Sequence, residues 1–434
     1  MIHTPLTDFT FFKKIVDAGG AIFVVGGSLR DEFLKRPIKD WDIIVRLIPF
    51  ADLVKILKGS GYTNLVGRSF GVIKFHPREE PNLEIDIALP RVERSTGSGH
   101  KDFEVDFNEQ LDVREDLMRR DFTINALAKN LVTGELIDPS GGMQDLKQMT
   151  IRTVFDNSFL EDPLRLLRAV QFSARLGFTI APSTLNDMKK HAALIKTVAP
   201  ERIIQEIKKL FEAPIPSVGF DIMRDSCLLP YIFPDVQKMI GIPQPKKKNE
   251  DVYTHTMKAL DAARYHPDLE NAGNRDIMFA ALLHDTGKPK KFKQHETDGV
   301  SFLNHHIVSS GITRRWLKDY KATTIGVDPK RVIHLVKHHM FETRHFLSNE
   351  KALRRFINKI GKEFIFDLID LRIADKKGGR YPEKVYGILK LRERIKEELA
   401  KKPPFLGKDL ALNGHEIMAL GFKAGPILGD IQRF

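Results

Sequence analysis

At 434 residues the chain is too long for one ordinary core, so two to four domains are expected. Its 42% hydrophobic and 29% charged content marks a globular protein rather than a disordered one. The lone cysteine, Cys227, excludes an internal disulfide and a cysteine-cluster metal site, and the formal net charge of +12 favours a polyanionic partner through counterion release.

The N-terminus, MIHTPLTDFTFFKK, lacks the long apolar core of a signal peptide, and no later run of about 18 apolar residues could span a bilayer. The chain therefore reads as cytoplasmic and without a membrane partner. Over the first ~135 residues, short β-branched runs alternate with amphipathic stretches: 21–25 (AIFVV), 41–47 (WDIIVRL), 71–75 (GVIKF) and 83–89 (LEIDIAL). This pattern predicts a small mixed α/β domain.

In VVGGSLRD (24–31) two glycines fall where a strand turns into a helix. Gly26 and Gly27 let backbone approach a phosphate, Ser28 is placed to cap the helix, and a helix N-terminus attracts anions. Asp40 and Asp42 follow at a spacing of two, which puts both carboxylates on one face of a strand. Two close carboxylates repel and lose hydration unless cations lie between them. Asp86, from a second strand, completes a three-carboxylate site of the kind that holds two Mg²⁺ ions.

From about 150 to 235 the period becomes helical, and GIPQPKKKNED (241–251) reads as a linker. A second helical region, rich in histidine, runs to about residue 380, and KKPPF (401–405) marks a break before a short tail. No internal repeat is evident.

The G-G-S-x-R-D and D-W-D pair resembles the signature of the nucleotidyltransferase superfamily, and in detail that of the class II tRNA nucleotidyltransferases (CCA-adding enzymes) and bacterial poly(A) polymerases. EDLMRRDFTINA (115–126) is similar to the family's second motif, which implies nucleotide contacts from Asp116, Arg119, Arg120, Asp121 and Asn125 beside those of Gly26, Gly27, Ser28 and Arg30. DPSGGMQDL (138–146) resembles the joint between head and neck.

FLEDPLRLLRA (159–169) matches the family's nucleotide-selecting motif, with Glu161, Asp162, Arg165 and Arg168. Asp162 sits at a helix start with Pro163 in the first turn, and Arg165 is its neighbour three residues on. Cytosine and adenine both offer an exocyclic amine beside a ring-nitrogen acceptor, so an aspartate can accept from one while an arginine donates to the other. Guanine and uracil place a carbonyl against that carboxylate. Glu161 would hold the arginine. ERIIQEIKKL (201–210) resembles the last conserved neck helix, with Glu201, Arg202 and Glu206 open to ordinary helix-surface pairing.

His255 precedes a helix, ALLHDTGK (281–288) places His284 and Asp285 side by side on an apolar one, and NHH (304–306), KHHM (337–340) and Asp375 follow. A buried His-Asp pair needs a partner, and a divalent metal supplies it. This H…HD…D order resembles the HD phosphohydrolase superfamily, which implies His255, His284, Asp285 and Asp375 as ligands of a Ni²⁺, Mn²⁺ or Mg²⁺ ion. His305 or His306, with His338 or His339, would extend the site toward a second metal.

Poly(A) polymerases typically carry R-R-F-R-L-A-H after the first motif, where this chain reads VGRSFGVIKF (66–75). With ERSTGSG (93–99), this favours an HD-containing CCA-adding enzyme that acts on tRNA with CTP and ATP, as a monomer or homodimer. A poly(A) polymerase, a CC-only or A-only enzyme, and a metal-dependent phosphohydrolase with an RNA-binding head are the alternatives. The tail, 413–431, looks like the family's C-terminal segment and stops early. The expected architecture is multidomain α+β: a polymerase-beta-like mixed α/β head (1–137), a helical neck (138–235), a helical HD domain (236–400) and a tail (401–434).

Overall fold

In the computed structural model of the chain, residues 6–38, 40–66, 71–95, 103–244, 250–295, 299–379, 383–401, 414–423 and 425 are described. The chain forms two compact units, one of Met1–Glu206 with Asp225–Tyr231 and one of Ile207–Arg224 with Ile232–Phe434. The first is built on a mixed sheet and the second is almost entirely helical.

The sheet has seven strands: β1 (Ala21–Val25), β2 (Trp41–Arg46), β3 (Gly61–Val66), β4 (Val72–Pro77), β5 (Ile85–Ala88), β8 (Ala128–Asn130) and β9 (Leu136–Ile137). Their order is β3-β4-β5-β2-β1-β8-β9, and a separate antiparallel pair joins β6 (Arg91–Ser95) to β7 (Phe103–Phe107). Only β2 and β5 in the seven-stranded sheet run parallel. β1 is a continuous apolar run with four of five residues buried, as a central strand covered on both faces must be. β4 alternates instead, with Ile73 and Phe75 in the core and Lys74 and His76 half-buried.

The four expected strands are present; β3, β6, β7, β8 and β9 were not anticipated. GYTNLV is an edge strand with Tyr62 and Leu65 exposed, so it carries no clean apolar alternation, and β8 and β9 are too short to show a period. Among the motifs singled out in the sequence, 67–70 and 96–99 lie outside the described residues. After the sheet the chain turns helical, and ten of the twelve residues of the helix Arg165–Leu176 are buried, Leu166, Leu167, Val170 and Phe172 among them.

In the second unit the helices Val252–Tyr265, Arg275–Leu283, His305–Asp319, Pro329–His338 and Ile365–Gly378 pack together. Asp251 and Asn274 cap the first two by accepting from the amides of Thr254 and Asp276. The stretch read as a linker is closed at its ends: the Gly241 amide donates to Asp251 Oδ2 and the Gln244 amide to Glu250 O. Residues 245–249, with the lysine run, lie outside the described residues, as do 402–413 and most of the tail.

Candidate functional site

The parallel register of β2 and β5 sets Asp42 directly opposite Asp86, and Asp40 lies exposed just ahead of β2. Register-paired residues share a face of the sheet, so the carboxylates of Asp42 and Asp86 face one cleft. That cleft, of about 200 Å³, is lined also by Arg91, Asp116, Arg119 and Arg120. Burial raises the pKa of Asp42 while Arg120 opposes it, and Asp86 and Asp40 raise it further. Burial also raises Asp86, against Lys74, whose Nζ is 3.5 Å from its Oδ1. That Oδ1 is buried without a hydrogen-bond partner. At both carboxylates burial outweighs the neighbouring cations, and their all-oxygen donor set fits Mg²⁺.

Gly26 has φ +67°, and a Cβ there would meet Arg120 Nη1 at 2.6 Å and Asp42 Oδ2 at 3.4 Å. Glycine is what lets the strand-to-helix turn, the arginine and the aspartate converge. Ser28 does not cap the helix Gly26–Phe33, which begins one residue after Val25 and has no side-chain cap. Being inside the first turn, its hydroxyl donates back to Val25 O at 2.9 Å and accepts from the Asp42 amide at 3.2 Å, tying the two strands together.

Asp116 is buried and clamps both arginines of the second motif, with Arg119 Nη2 at 2.6 Å and Arg120 Nη2 at 3.1 Å. Burial would raise this carboxyl, but Arg120 and Arg119 hold it below the usual range. The two guanidinium groups are thus fixed on the cleft wall. Asp121 and Asn125 sit deeper: Arg30 Nη1 donates to Asn125 Oδ1 at 2.7 Å, Asn125 Nδ2 to Asp121 Oδ1 at 3.0 Å, and Arg168 Nε to Asp121 Oδ2 at 2.7 Å. Burial opposes the Asp121 charge, yet Arg168 and Asn125 keep its pKa low.

Asp162 and Arg165, neighbours three residues apart, are held by different groups. Arg165 Nη1 is 2.7 Å from Glu161 Oε2 and 3.0 Å from Ser158 Oγ, and its Nη2 donates to Arg119 O at 3.0 Å. Asp162 accepts from the Leu164 amide at 3.1 Å and pairs with Arg202 Nη2 at 3.1 Å. Its backbone is extended, at φ −135° and ψ 99°, which turns its side chain away from the helical three-residue neighbour. The neck arginine Arg202 thus joins the motif, and buried Glu206 lies on the same helix, Pro200–Phe211.

In the helical unit, His284 and Asp285 are not inside their helix. Arg275–Leu283 ends before them and His284 is its C-cap. His284 keeps helical backbone angles, and its amide still donates to Ala280 O at 2.9 Å, so the pair sits where the chain leaves the last turn. Gly287 closes this turn against the next helix: a Cβ there would lie 2.3 Å from His305 O.

Asp285 stands at the middle of the centre. Its Oδ2 is 3.2 Å from His284 Nε2 and 3.7 Å from His255 Nε2, and its Oδ1 is 3.2 Å from His305 Nε2 and 3.9 Å from His339 Nε2. Asp375 Oδ1 is 3.1 Å from His255 Nε2 and 3.7 Å from His284 Nε2. Two ligand groups result, His255–His284–Asp375 and Asp285–His305–His339. The Nδ1 atoms of His284, His305 and His339 lie 2.8, 2.9 and 2.7 Å from backbone carbonyls, which points each Nε2 inward.

Burial opposes charge on His284, yet Asp285 and Asp375 push its pKa up to about 10, while burial and His284 lower that of His339 to about 3. The buried carboxylates of Asp285 and Asp375 thus hold strongly to positive charge. Buried His284 Nε2 and Asp285 Oδ2 have no hydrogen-bond partner of acceptable geometry, as suits atoms that donate to a metal. Of the alternatives left open in the sequence, His305 and His339 join the centre, while His306 and His338 belong to neither ligand group.

Three further groups were not foreseen. Lys74 reaches Asp86 because β4 pairs with β5, Lys288 Nζ is 2.5 Å from Asp285 Oδ2, and Arg372 Nη1 is 2.7 Å from Asp375 Oδ2. Lys288 closes the ALLHDTGK run, where its place three residues after Asp285 was the available signal.

Comparison with known proteins agrees with this layout. Residues 22–152 match the poly A polymerase head domain, 177–240 the probable RNA and SrmB-binding site of polymerase A, and 252–377 the HD domain. The Multifunctional CCA protein of Nitrosococcus oceani is 38% identical over 271 residues, 62% of this chain and 63% of that protein. That of Shewanella frigidimarina is 38% identical over 280 residues, 63% of this chain and 64% of the relative. The similarity thus spans less than two thirds of the length of these curated relatives. The CCA-adding enzyme of Bacillus stearothermophilus, solved in complex with CTP, has the same fold: TM-score 0.64 at 24% identity, over 99% of this chain and 93% of that one. The Thermotoga maritima CCA-adding enzyme, solved with tRNA, gives 0.60 at 23%, over 97% and 87%. Residues 22–152 thus belong to the poly A polymerase head-domain family and 252–377 to the HD-domain family, and the chain resembles the Multifunctional CCA proteins.

Proposed function

We propose that the chain adds C, C and A to the 3′ end of tRNA from CTP and ATP without a nucleic-acid template. The observation that carries this reading is the in-register Asp42–Asp86 pair facing Arg119 and Arg120 across one cleft. Divalent cations, Mg²⁺ in this reading, would be held by Asp40, Asp42 and Asp86, and when bound supply the charge that ionises a 3′-hydroxyl and neutralises a triphosphate. Arg119 and Arg120, held on Asp116, orient the triphosphate, and the Gly26–Gly27 turn leaves room for it. The RNA 3′-oxygen forms a bond to the α-phosphorus, the bond to the β-phosphate oxygen breaks, and pyrophosphate leaves. Asp162 accepts from the base amine and Arg165 donates to the ring nitrogen, with Glu161 and Ser158 positioning the arginine. Arg30, Asn125, Asp121 and Arg168 form the buried support that fixes head motifs to the selecting helix.

The HD centre is assigned to phosphohydrolysis of RNA ends: a 2′,3′-cyclic phosphate or 2′-phosphate. His255, His284 and Asp375 would hold one divalent ion and Asp285, His305 and His339 a second, Ni²⁺, Mn²⁺ or Mg²⁺, which supply a nucleophilic hydroxide at neutral pH. Lys288 and Arg372 place positive charge beside the two carboxylates. A head of 1–137, neck of 138–235, HD domain of 236–400 and tail of 401–434 divide these tasks in a cytoplasmic monomer or homodimer.

The test is incorporation into a tRNA transcript lacking its last three nucleotides. CTP alone extends it by two and CTP with ATP by three. A long ladder with ATP alone would make it a poly(A) polymerase, and no incorporation would leave only the HD activity.

A further inference from the structure

The helix Glu350–Ile360 carries Lys351, Arg355 and Lys359 at four-residue steps, all exposed and none with a carboxylate partner among the described residues. Like charges at this spacing weaken a helix. The neighbouring Arg354 shows the ordinary solution, pairing with Glu350 at 2.6 Å and with Glu398. The unpaired stripe lines a cleft of about 440 Å³, together with His345, Phe346 and Phe356 and with no acidic residue. The rings of Phe346 and Phe356 stack at 4.2 Å and 15°. Phe346 is half-buried, so an aromatic face borders the cationic row.

The cleft adjoins the HD centre. Its Phe346 and Phe356 rings lie 6.4 and 5.1 Å from that of Phe341, two residues beyond His339 of the second ligand group. Arg372, which pairs with Asp375 of the first group, has its guanidinium 5.6 Å from the Phe341 ring. One aromatic wall therefore leads from the metal-ligand groups to the cationic row of Lys359, Arg355 and Lys351.

We propose that this cleft is the binding subsite for the nucleotides that precede the terminal phosphate in the HD centre, so that the substrate is an RNA strand rather than a mononucleotide. Steps of four residues rise about 6 Å along a helix, on the scale of one nucleotide, so successive cations meet successive phosphates. Phe346 offers a stacking face to one base, as single-strand binding sites do. The inference rests on the phosphohydrolase reading of the HD centre.

The test compares the metal-loaded full chain with K351S/R355S, using a hexanucleotide ending in a 2′,3′-cyclic phosphate and 2′,3′-cyclic CMP. The double variant raises KM for the hexanucleotide roughly tenfold and lowers its log–log salt dependence by about 1.4, for two lost phosphate contacts. KM for cyclic CMP and nucleotide incorporation at the head stay unchanged. Equal effects on both substrates, or none on either, overturn the subsite. If the parent chain opens neither substrate, the phosphohydrolase reading fails, and the subsite is judged by cross-linking alone. A 4-thiouridine hexanucleotide then attaches within residues 343–359 in the parent chain and not in K351S/R355S; attachment elsewhere only overturns the cleft.

Discussion

Asp42 on β2 and Asp86 on β5 are register partners across the one parallel strand pair of the seven-stranded sheet. An antiparallel neighbour can be supplied by a tight hairpin, but a parallel one requires a crossover, and here the chain forms β3 and β4 before returning as β5. The topology brings together two acids that lie 44 positions apart in sequence.

Asp42 is charged at a cost to the fold. Burial raises its pKa, so its ionised form destabilises the folded state above the ordinary carboxylate range. Asp42→Asn in EDTA is expected to raise the denaturant midpoint at pH 7, with the gain vanishing below about pH 4, where the unfolded carboxyl is protonated. Mg²⁺ stabilises the parent chain more than the variant. A lower midpoint for the variant in EDTA contradicts this.

The proposed base selection rests on Asp162 and Arg165 being held by different groups. The partner of Asp162 is Arg202, and Arg165 is held separately by Glu161 and Ser158. Asp162→Ala is expected to lower kcat/KM for CTP about 10- to 100-fold while UTP changes little, because a matched base contact is worth roughly 1–3 kcal/mol of discrimination. Equal losses for CTP and UTP would remove Asp162 from base recognition.

Asp121 titrates in the opposite sense. Arg168 and Asn125 hold its folded pKa below the unfolded value despite burial, so its contribution to stability is present above about pH 4 and is lost as pH falls through the lower folded value. Urea midpoints of the parent chain and Asp121→Asn should differ at pH 7 and converge in acid. A gap that does not change with pH counts against the pairing.

Much of this was legible in the sequence because the chemistry sits in short runs: GGSLRD, DWD, MRRD and HDTGK each concentrate their residues within one turn or strand end. What was not legible came from pairing between distant segments. Lys74 meets Asp86 only through the β4–β5 register, and Arg202 reaches Asp162 from another helix. The choice of His305 over His306, and of His339 over His338, depends on helix rotation, which adjacent histidines cannot reveal. The Ser28 cap failed because the helix begins at Gly26 and leaves the serine inside its first turn.

Asp285 offers one oxygen to each ligand group, so its loss should affect both. Metal analysis of the purified chain is expected to show two divalent ions in the HD centre of the parent, fewer than one in Asp285→Asn, and one in His305→Ala. Equal metal content in parent and Asp285→Asn contradicts the shared-carboxylate arrangement.

The most direct test of the central claim is single-turnover extension of a tRNA transcript lacking its last three nucleotides, with CTP, ATP and Mg²⁺, by the parent chain and Asp42→Asn. The parent chain is expected to add three nucleotides, while the variant adds none in the same time, a loss of at least about 100-fold. Extension by the variant at the parental rate would show that the Asp42–Asp86 pair does not carry nucleotidyl transfer.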